Sequence, residues 1–460
     1  MTLHTFPMKR FPRAAVVVGL LLVSTIALAS FHASRSRTAD AQLQTTAAAP
    51  RSGLPDQLKI VLTPLGGDSK VDAQIADLQA RIKDSAEPNM LLERLGWAFV
   101  AKARVSSDPG YYTLAEQSAK AITATAPEDA AAALLRGHVY HAMHRFADAE
   151  AAARKLISQR EFVFDYALLG DALMEQGKLD EAVVAYQKMV DLKPSLQTYS
   201  RVAHIRWLKG DLGGAIEASR RAVAAGSPRD AEPLAWASAR LASYQLQEGD
   251  VSNAVTNTDR ALELLPGYAP AALMRGRLLL AEGKAEEAVA PLRRAVEASP
   301  LPENLWALAD ALRAAGNIPE AQAVEAQLGK TGATTDPRTY SLYLASRRQD
   351  AALALRLASA ELESRQDVFT YDALAWAQVA SGDVAQAREN IQRALAEGTR
   401  DGRLYYHAGA IAAAAGANAE ALEFLNQARR LERMLLPSER QALDQNLTAL
   451  IAGTSQLSVN

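Results

Sequence analysis

Three histidines at a spacing of three are the residues of this chain that most resemble a chemical site. His138, His141 and His144 follow one another in the segment HVYHAMH. Helical side chains three or four positions apart are neighbours, so two of these imidazoles have the geometry of a metal-binding pair. No carboxylate within the segment completes a ligand set. We therefore interpret them as groove-lining or solvated histidines and expect no metal.

The other motifs that resemble catalytic or nucleotide-binding sites are incomplete. Gly329-Lys330-Thr331 matches the end of a phosphate-binding loop, but the glycine required five residues earlier is Val324. The chain contains no H-E-x-x-H, no G-x-S-x-G and no glycine-rich dinucleotide-binding turn. Adjacent carboxylates such as Glu286 and Glu287 lie where the helical pattern places solvated charge. We predict no catalytic residue, no cofactor and no enzyme activity.

Composition excludes several classes of protein. The 460 residues include no cysteine, which rules out disulfides, thiol catalysis and cysteine-ligated zinc or iron–sulfur clusters. A formal net charge of -2 gives no basic surface, so no nucleic-acid partner is expected. Hydrophobic residues make up 49% of the chain but aromatic residues only 6%, and alanine is the most frequent of the apolar residues. Small apolar residues favour closely packed helices, which predicts an all-α fold.

The N-terminus predicts export. Lys9, Arg10 and Arg13 precede an uncharged apolar run over residues 14–29, and Ala27-Leu28-Ala29 matches a signal-peptide cleavage site. Two alternatives stay open for residues 1–33, a cleaved signal peptide and an uncleaved signal anchor that tethers the protein to the membrane. Both place the remainder outside the cytoplasm, either free in the periplasm or anchored in the inner membrane and facing the periplasm.

The next segments are expected to lack repeats. Residues 34–70 are predicted to be a flexible linker, within which Lys59-Ile60-Val61-Leu62 has the pattern of a lone strand. Residues 71–87 are predicted to form an N-terminal helix, because apolar residues recur there at helical spacing.

From about residue 89 to residue 431 one pattern recurs every 34 residues or so. In its clearest copy Gly170 lies in a first helix, Gly177 ends that helix, Ala182 enters a second helix and Pro194 ends the unit. Small residues let two helices cross closely, glycine supplies the left-handed turn, and proline stops the second helix. The turn glycine and the second-helix alanine return together at Gly210 and Ala215, Gly249 and Ala254, Gly283 and Ala288, Gly316 and Ala321, Gly382 and Ala387, and Gly416 and Ala421.

This joint recurrence resembles the tetratricopeptide repeat family over about three quarters of the chain. The resemblance implies an α-solenoid, a superhelix of about nine to ten hairpins that bury their apolar faces only by stacking on each other. We expect a first array over residues 88–328, a loop over 329–338, a second array over 339–435, and a capping helix with a tail over 436–460. Arg347-Arg348-Gln349 stands where a turn glycine belongs, so a local break in the superhelix is expected there.

In that family the first helix of each hairpin lines a concave groove that binds partner proteins. The resemblance therefore implies a groove that contains four of the five tryptophans, and aromatic residues and arginine are enriched at interfaces. The groove residues carried over to this sequence are His138, His141, Phe164, Asp171, Met174, His204, Trp207, Trp236, Arg277, Trp306, Asp310, Arg313, Asp372, Trp376 and Tyr406.

The expected function is a non-catalytic scaffold of the cell envelope that binds an extended peptide or a helix of another protein. Two alternatives stay open. The array could self-associate into a homo-oligomer with an empty groove, or serve as an accessory protein of polysaccharide or envelope assembly machinery.

Overall fold

Helices account for the secondary structure of the part of the chain that the structure describes. The computed structural model describes residues 56–67, 69–106 and 108–453, and no β-strand occurs in these ranges. The predicted all-α fold is confirmed. The predicted export segment at residues 1–33, most of the predicted linker and the tail from residue 454 lie outside the described residues.

Ten hairpins follow one another between Asn89 and Arg430, which confirms the predicted α-solenoid of nine to ten hairpins. Two helices precede them, α1 (Asp56–Val61) and α2 (Lys70–Asp84), and α23 (Pro437–Ile451) follows them. The pairs are α3 (Asn89–Ser106) with α4 (Gly110–Thr123), α5 (Ala130–Ala142) with α6 (Phe146–Gln159), α7 (Val163–Glu175) with α8 (Leu179–Leu192), α9 (Leu196–Leu208) with α10 (Leu212–Ala225), α11 (Ala231–Glu248) with α12 (Val251–Leu264), α13 (Ala269–Ala281) with α14 (Ala285–Ala298), α15 (Pro302–Ala314) with α16 (Ile318–Thr335), α17 (Pro337–Ser346) with α18 (Ala351–Ser364), α19 (Val368–Ala380) with α20 (Val384–Leu395), and α21 (Gly402–Ala414) with α22 (Asn418–Arg430).

The crossing of the two helices in a hairpin leaves no room for a larger residue. A Cβ atom added at Gly170 would lie 2.3 Å from Cε1 of Tyr186, and one at Gly276 would lie 2.4 Å from Cδ2 of Leu292. Ala182, in the second helix of the same hairpin as Gly170, has no exposed surface. Small residues at these positions are therefore required by the close approach of the helices.

The hairpin turn forms even where glycine is missing. Gly177 and Gly382 adopt positive φ angles of 73° and 87° at their turns, and His144 and Arg348 occupy the corresponding positions with φ of 58° and 50°. Although Arg347–Gln349 stands in place of the turn glycine, α17 and α18 pack together as a hairpin. The break in the superhelix expected there stays a prediction. An unfavourable backbone conformation at one residue is outweighed there by the packing of the two helices.

The loop predicted over residues 329–338 was wrong. Helix α16 continues to Thr335, and only Asp336 separates it from α17, whose N-terminus it caps by accepting a hydrogen bond from the Thr339 amide at 3.1 Å. Gly332 lies within this segment. Its physical role is close packing, because a Cβ atom there would lie 2.6 Å from the ring of Tyr340.

The end of the predicted linker is also ordered. Residues 56–61 form helix α1 where a lone strand was expected, and Val61 is fully buried. The side-chain amide of Gln79 in α2 donates hydrogen bonds to the carbonyls of Val61 and Thr63 at 2.8 and 2.9 Å. A helix of six residues is too short to recognise from apolar spacing in the sequence, but these hydrogen bonds fix the segment on α2.

The superhelix returns onto itself. We call the contact the seam, and define it as residues 175–179, 208–211 and 247–249 of the earlier hairpins against residues 364–368 and 396–400 of the later ones. The Gln366 amide donates to the Glu175 carbonyl at 3.0 Å, and the Thr399 hydroxyl donates to the carbonyl of Leu208, 191 positions away. Arg440 continues the contact by donating to the Leu280 carbonyl at 2.9 Å. The later hairpins therefore cover part of the concave face of the earlier ones.

Candidate binding cavity on the concave face

The covered concave face encloses a cavity of about 590 Å³. Its walls come mainly from the first helices α7, α9, α11 and α13 on one side and from α17, α19 and α21 on the other. Glu303 of α15 and Arg393 of the second helix α20 also line it. First helices line it because the second helices carry the outer surface of each hairpin. The volume lies within the range of roughly 300–1,000 Å³ that is usual for small-ligand sites.

Aromatic side chains on one wall are held in fixed positions. Trp207 stacks on Phe369 from the other side of the cavity, with ring centroids 5.6 Å apart, and donates its indole N–H to Oε1 of Gln247 at 2.8 Å. Trp207 also lies against Tyr244, with ring centroids 5.8 Å apart. The seam thus brings together aromatic residues that are far apart in the sequence.

Arg240 lies at the centre of this aromatic wall. Its Nη2 atom donates to the hydroxyl of Tyr244 at 3.1 Å and to Nδ1 of His204 at 3.3 Å. Because a guanidinium only donates, Nδ1 of His204 accepts and the proton of the neutral imidazole lies on Nε2. Burial, together with the charge of Arg240, lowers the pKa of His204 to about 3. His204 is therefore neutral at physiological pH.

Two other arginines at the cavity form salt bridges. Arg338 pairs with Asp367 at 2.8 Å, and Arg277 pairs with Glu303 at 2.8 Å. Burial by itself raises the pKa of Asp367, but the charges of Arg338 and Arg365 and the hydrogen bonds from Thr370 together outweigh it and hold the pKa below its usual value. Both acids of these pairs are therefore engaged by the protein's own arginines.

Family models of the tetratricopeptide repeat match three segments of the chain, residues 166–196, 239–301 and 373–432. Each segment coincides with hairpins of the array described above. The protein is a tetratricopeptide repeat protein. This repeat fold is typical of non-catalytic scaffolds for protein–protein interaction.

Solved structures of low identity share short stretches with this tetratricopeptide repeat protein. The crystal structure of MamA protein is 21% identical, with a TM-score of 0.30, over 37% of this chain and 92% of that chain. A tetratricopeptide repeat protein from Parabacteroides merdae ATCC 43184 is 18% identical, with a TM-score of 0.32, over 56% of this chain and 100% of that chain. A search of curated proteins gives no match.

Six of the fifteen predicted groove residues of the repeat protein meet at the cavity. The other nine do not line it, and contact with a partner stays a prediction for all fifteen. The six that line the cavity are Met174, His204, Trp207, Trp236, Arg277 and Asp372.

Three of the remaining nine are aromatic residues with almost no accessible surface. Trp306, Trp376 and Tyr406 are 2%, 1% and 3% exposed, which differs from the expected position on an open groove. Trp376 stacks on His407 with centroids 4.0 Å apart and donates its indole N–H to the Ser346 hydroxyl at 3.0 Å. Their contacts give these residues a packing role between neighbouring repeats.

Three more of the nine are charged residues that bind neighbouring side chains. The carboxylate of Asp171 accepts from Arg201 at 2.6 Å, Asp310 accepts from Arg347 at 3.0 Å, and Arg313 donates to Glu325. Asp310 also accepts from the Ser438 amide at 2.9 Å, which fixes α23 on the array. Asp171 and Asp310 thus join different hairpins, and Arg313 joins the two helices of its own hairpin.

The last three of the nine lie on the first hairpins. His138 packs on Trp97 with ring centroids 5.3 Å apart, and burial lowers its pKa to about 3. His141 contacts the ring of Phe146 edge-on, with centroids 5.3 Å apart. Phe164 is 39% exposed and lies outside the cavity. Within the described ranges, no group of three or more histidine, aspartate or glutamate side chains could hold a metal ion.

Several cavity residues were missed in the sequence. Arg240 and Tyr244 follow Trp236 at spacings of four and eight, so the helical period could have extended the predicted surface along α11. Phe369 and Arg338 carry no such signal. They reach the cavity only because the later hairpins return to the earlier ones.

Proposed function

We propose that this protein is a scaffold that binds a segment of another protein at the concave cavity. The observation that carries the proposal is the cavity itself, since it is lined mainly by first helices of the stacked repeats from α7 to α21 and holds Trp207, Trp236 and Tyr244 on one wall. Buried aromatic residues surrounded by polar groups are the usual anchors of protein interfaces. The hydrogen bond of Trp207 and its stacking on Phe369 hold this wall in place, which lowers the ordering cost of binding.

The later hairpins favour an extended segment over a helix as the ligand. They cover the concave face from α17 to α21 and leave a cavity of small-ligand size. A helix with its side chains is about 10–12 Å in diameter and would have to displace the seam. A short extended segment needs no such rearrangement.

Photo-crosslinking in the native cell tests this proposal. A photoreactive amino acid replaces Trp236 or Arg277 in the cavity, and in a matched control it replaces Val184, which is 66% exposed on the second helix α8. We expect one protein to be captured from both cavity positions and not from Val184. Equal recovery from all three positions, or crosslinks only to further copies of this chain, would overturn the proposal.

Residues 1–33 support a further part of the proposal, namely that the repeats act outside the cytoplasmic membrane. The basic residues followed by an uncharged apolar run and an A-L-A sequence are the supporting observation. Among the described residues, no helix is long and apolar enough to cross a membrane. We expect the full chain to be exported and a chain that lacks residues 1–33 to stay inside. Retention of both forms inside the cell would contradict export.

A further inference from the structure

The acidic residues that line the cavity are all occupied by partners within the chain. Glu175 pairs with Arg365 at 2.7 Å, and Glu397 pairs with Lys209 at 2.8 Å. Asp372 binds Nδ1 of His407 at 2.8 Å, and Asp401 accepts from the backbone amides at the start of α21. Glu303 pairs with Arg277, and Asp367 pairs with Arg338. The cavity therefore has no free carboxylate with which to bind a cationic ligand.

Two of the arginines that line the cavity differ from these acids. Within the described residues, the salt bridges include none for Arg240 or Arg393, although both side chains face the cavity. Arg240 is half-buried, and its guanidinium lies 5.1 Å from the centroid of Tyr244 and 5.9 Å from that of Trp207. Arg393 lies 5.6 Å from the centroid of Tyr371. Each guanidinium thus rests on an aromatic ring and retains unused hydrogen-bond donors.

We propose that the cavity binds an organic anion, with the guanidinium of Arg240 as the anchor for its carboxylate or phosphate and the aromatic wall as the surface for its apolar part. A guanidinium matches both groups with paired N–H donors. Tyr244 and Trp207 orient Arg240, and the Nε2–H of neutral His204 adds one donor beside it. Arg393 supplies a second positive charge at the exposed side of the cavity.

This inference deepens the proposed function by naming the chemistry of the ligand, and it rests on the concave face being the binding face. An acidic side chain between apolar residues of a partner protein presents the required groups, and so does a free aromatic acid. Both sources share an anion next to an apolar group. They differ in whether the ligand is part of a polypeptide.

Titration of the full chain with matched ligands tests the inference. Phenyl phosphate and benzoate are the anionic probes, and benzyl alcohol and benzylamine are neutral and cationic controls of similar size. Acetylated and amidated octapeptides with one glutamate among phenylalanine and alanine residues, or with glutamine in its place, form the second arm. Tryptophan fluorescence reports on Trp207 and Trp236, and calorimetry gives the Kd.

We expect saturable binding of anionic probes and none of the neutral or cationic ones. Arg240→Gln should weaken binding by about tenfold or more, because a hydrogen bond to a charged group is lost. Arg393→Gln, at an exposed residue, should weaken it without affecting folding. Arg294→Gln, at an exposed arginine that does not line the cavity, is the control and should leave the Kd unchanged.

The pattern of binding identifies the source of the anion. Binding of the glutamate peptide alone supports a partner protein, and binding of the small anions alone supports a free metabolite. Absence of saturable binding by every anionic probe at millimolar concentration would overturn the inference, as would equal Kd values for wild type and both cavity variants. Capture of a partner protein from Trp236 could still be observed in that case. The two experiments therefore distinguish a failure of the anion proposal from a failure of the proposed function.

Discussion

The residue that ends the first helix of a hairpin has a left-handed backbone, and its neighbours decide how much a side chain there disturbs the protein. Gly177 and Gly283 have nearly equal φ angles of 73° and 76°. A Cβ atom at Gly177 would lie 2.4 Å from the carbonyl oxygen of Gln366 across the seam, whereas one at Gly283 would meet nothing within 4 Å. Comparing substitutions at these two glycines therefore distinguishes the cost of a left-handed backbone from the cost of the close contact at the seam.

Alanine at the two positions should therefore have different effects on stability. Gly283→Ala is expected to lower the free energy of unfolding by about 1–2 kcal/mol, because only the left-handed conformation is penalised. Gly177→Ala should lower it by about 1–3 kcal/mol more, because the added carbon overlaps a backbone carbonyl. Urea unfolding of both variants measures the difference. Equal losses would mean that the seam is not closed at Gly177 in solution.

His204 makes stability depend on pH. Its pKa is lowered to about 3 in the folded protein by burial and by Arg240, while an imidazole in the unfolded chain titrates near 6.5. Below about pH 6.5 the unfolded chain binds a proton that the folded chain does not, so stability falls as the pH falls. Between pH 7 and pH 5 this histidine should reduce the free energy of unfolding by about 1–2 kcal/mol.

His204→Gln should remove that contribution. Urea unfolding at pH 7 and pH 5 is expected to show a smaller loss of stability for the variant than for the wild type, by about 1–2 kcal/mol. Above pH 7.5 the two proteins should show the same pH dependence of stability, because the His204 imidazole is neutral there in both the folded and the unfolded wild type. An identical loss on acidification in both proteins would contradict the assignment of a buried neutral His204.

At the scale of the element, the hairpin crossing distinguishes two glycines that look alike in the sequence. Gly170 in α7 faces the ring of Tyr186, whereas Gly213 in α10 has nothing within 4 Å of an added Cβ atom. Alanine is a better helix former than glycine, so only the crossing can make the substitution unfavourable.

We expect Gly170→Ala and Gly213→Ala to change stability in opposite directions. Gly170→Ala should lower the free energy of unfolding by about 1–3 kcal/mol through overpacking against Tyr186. Gly213→Ala should raise it by about 0.5 kcal/mol, because the unfolded chain loses freedom and the folded helix loses nothing. Denaturant titration of both variants is the measurement. A gain of stability in both variants would mean that α7 and α8 do not cross closely at Gly170.

Hairpins were predictable from the sequence because each one is a local structure with its own small residues and turn glycine. Most of the ten pairs follow from positions such as Gly170, Gly177 and Ala182, whose spacing recurs along the array. The loop over residues 329–338 was predicted wrongly because a glycine that packs closely, as Gly332 does on Tyr340, and a glycine that breaks a helix look the same in a single sequence. Arg348 could not be recognised as a turn residue, because its left-handed backbone is tolerated only through the packing of the two helices.

At the scale of the whole molecule, the cavity depends on the rotation between neighbouring hairpins, which cannot be read from the sequence of one repeat. The small rotation between neighbouring hairpins accumulates along the array and decides which residues meet after one turn. Trp207 and Trp236 could be assigned to the concave face from their place in the repeat. Phe369 and Arg338 could not be assigned to the same cavity, because they join it only when the later hairpins reach the earlier ones.

The closed seam can be tested by chemical crosslinking, since the chain has no cysteine of its own. The Lys209 ammonium and the Glu397 carboxylate are 2.8 Å apart although the residues are 188 positions apart. In the double variant Lys209→Cys with Glu397→Cys, a short bismaleimide should link the two thiols in the native protein, and mass spectrometry of its peptides should find the link. Unfolding in urea before the reaction should abolish it.

A second double variant controls for the reagent. Glu217 and Arg221 form a salt bridge within α10, so cysteines at these two positions should link whether or not the superhelix is closed. If the pair on α10 reacts and the pair at Lys209 and Glu397 does not, the later hairpins stand away from the earlier ones in solution. The stacking of Phe369 on Trp207 would then be lost, and the concave face would be an open groove wide enough for a helix.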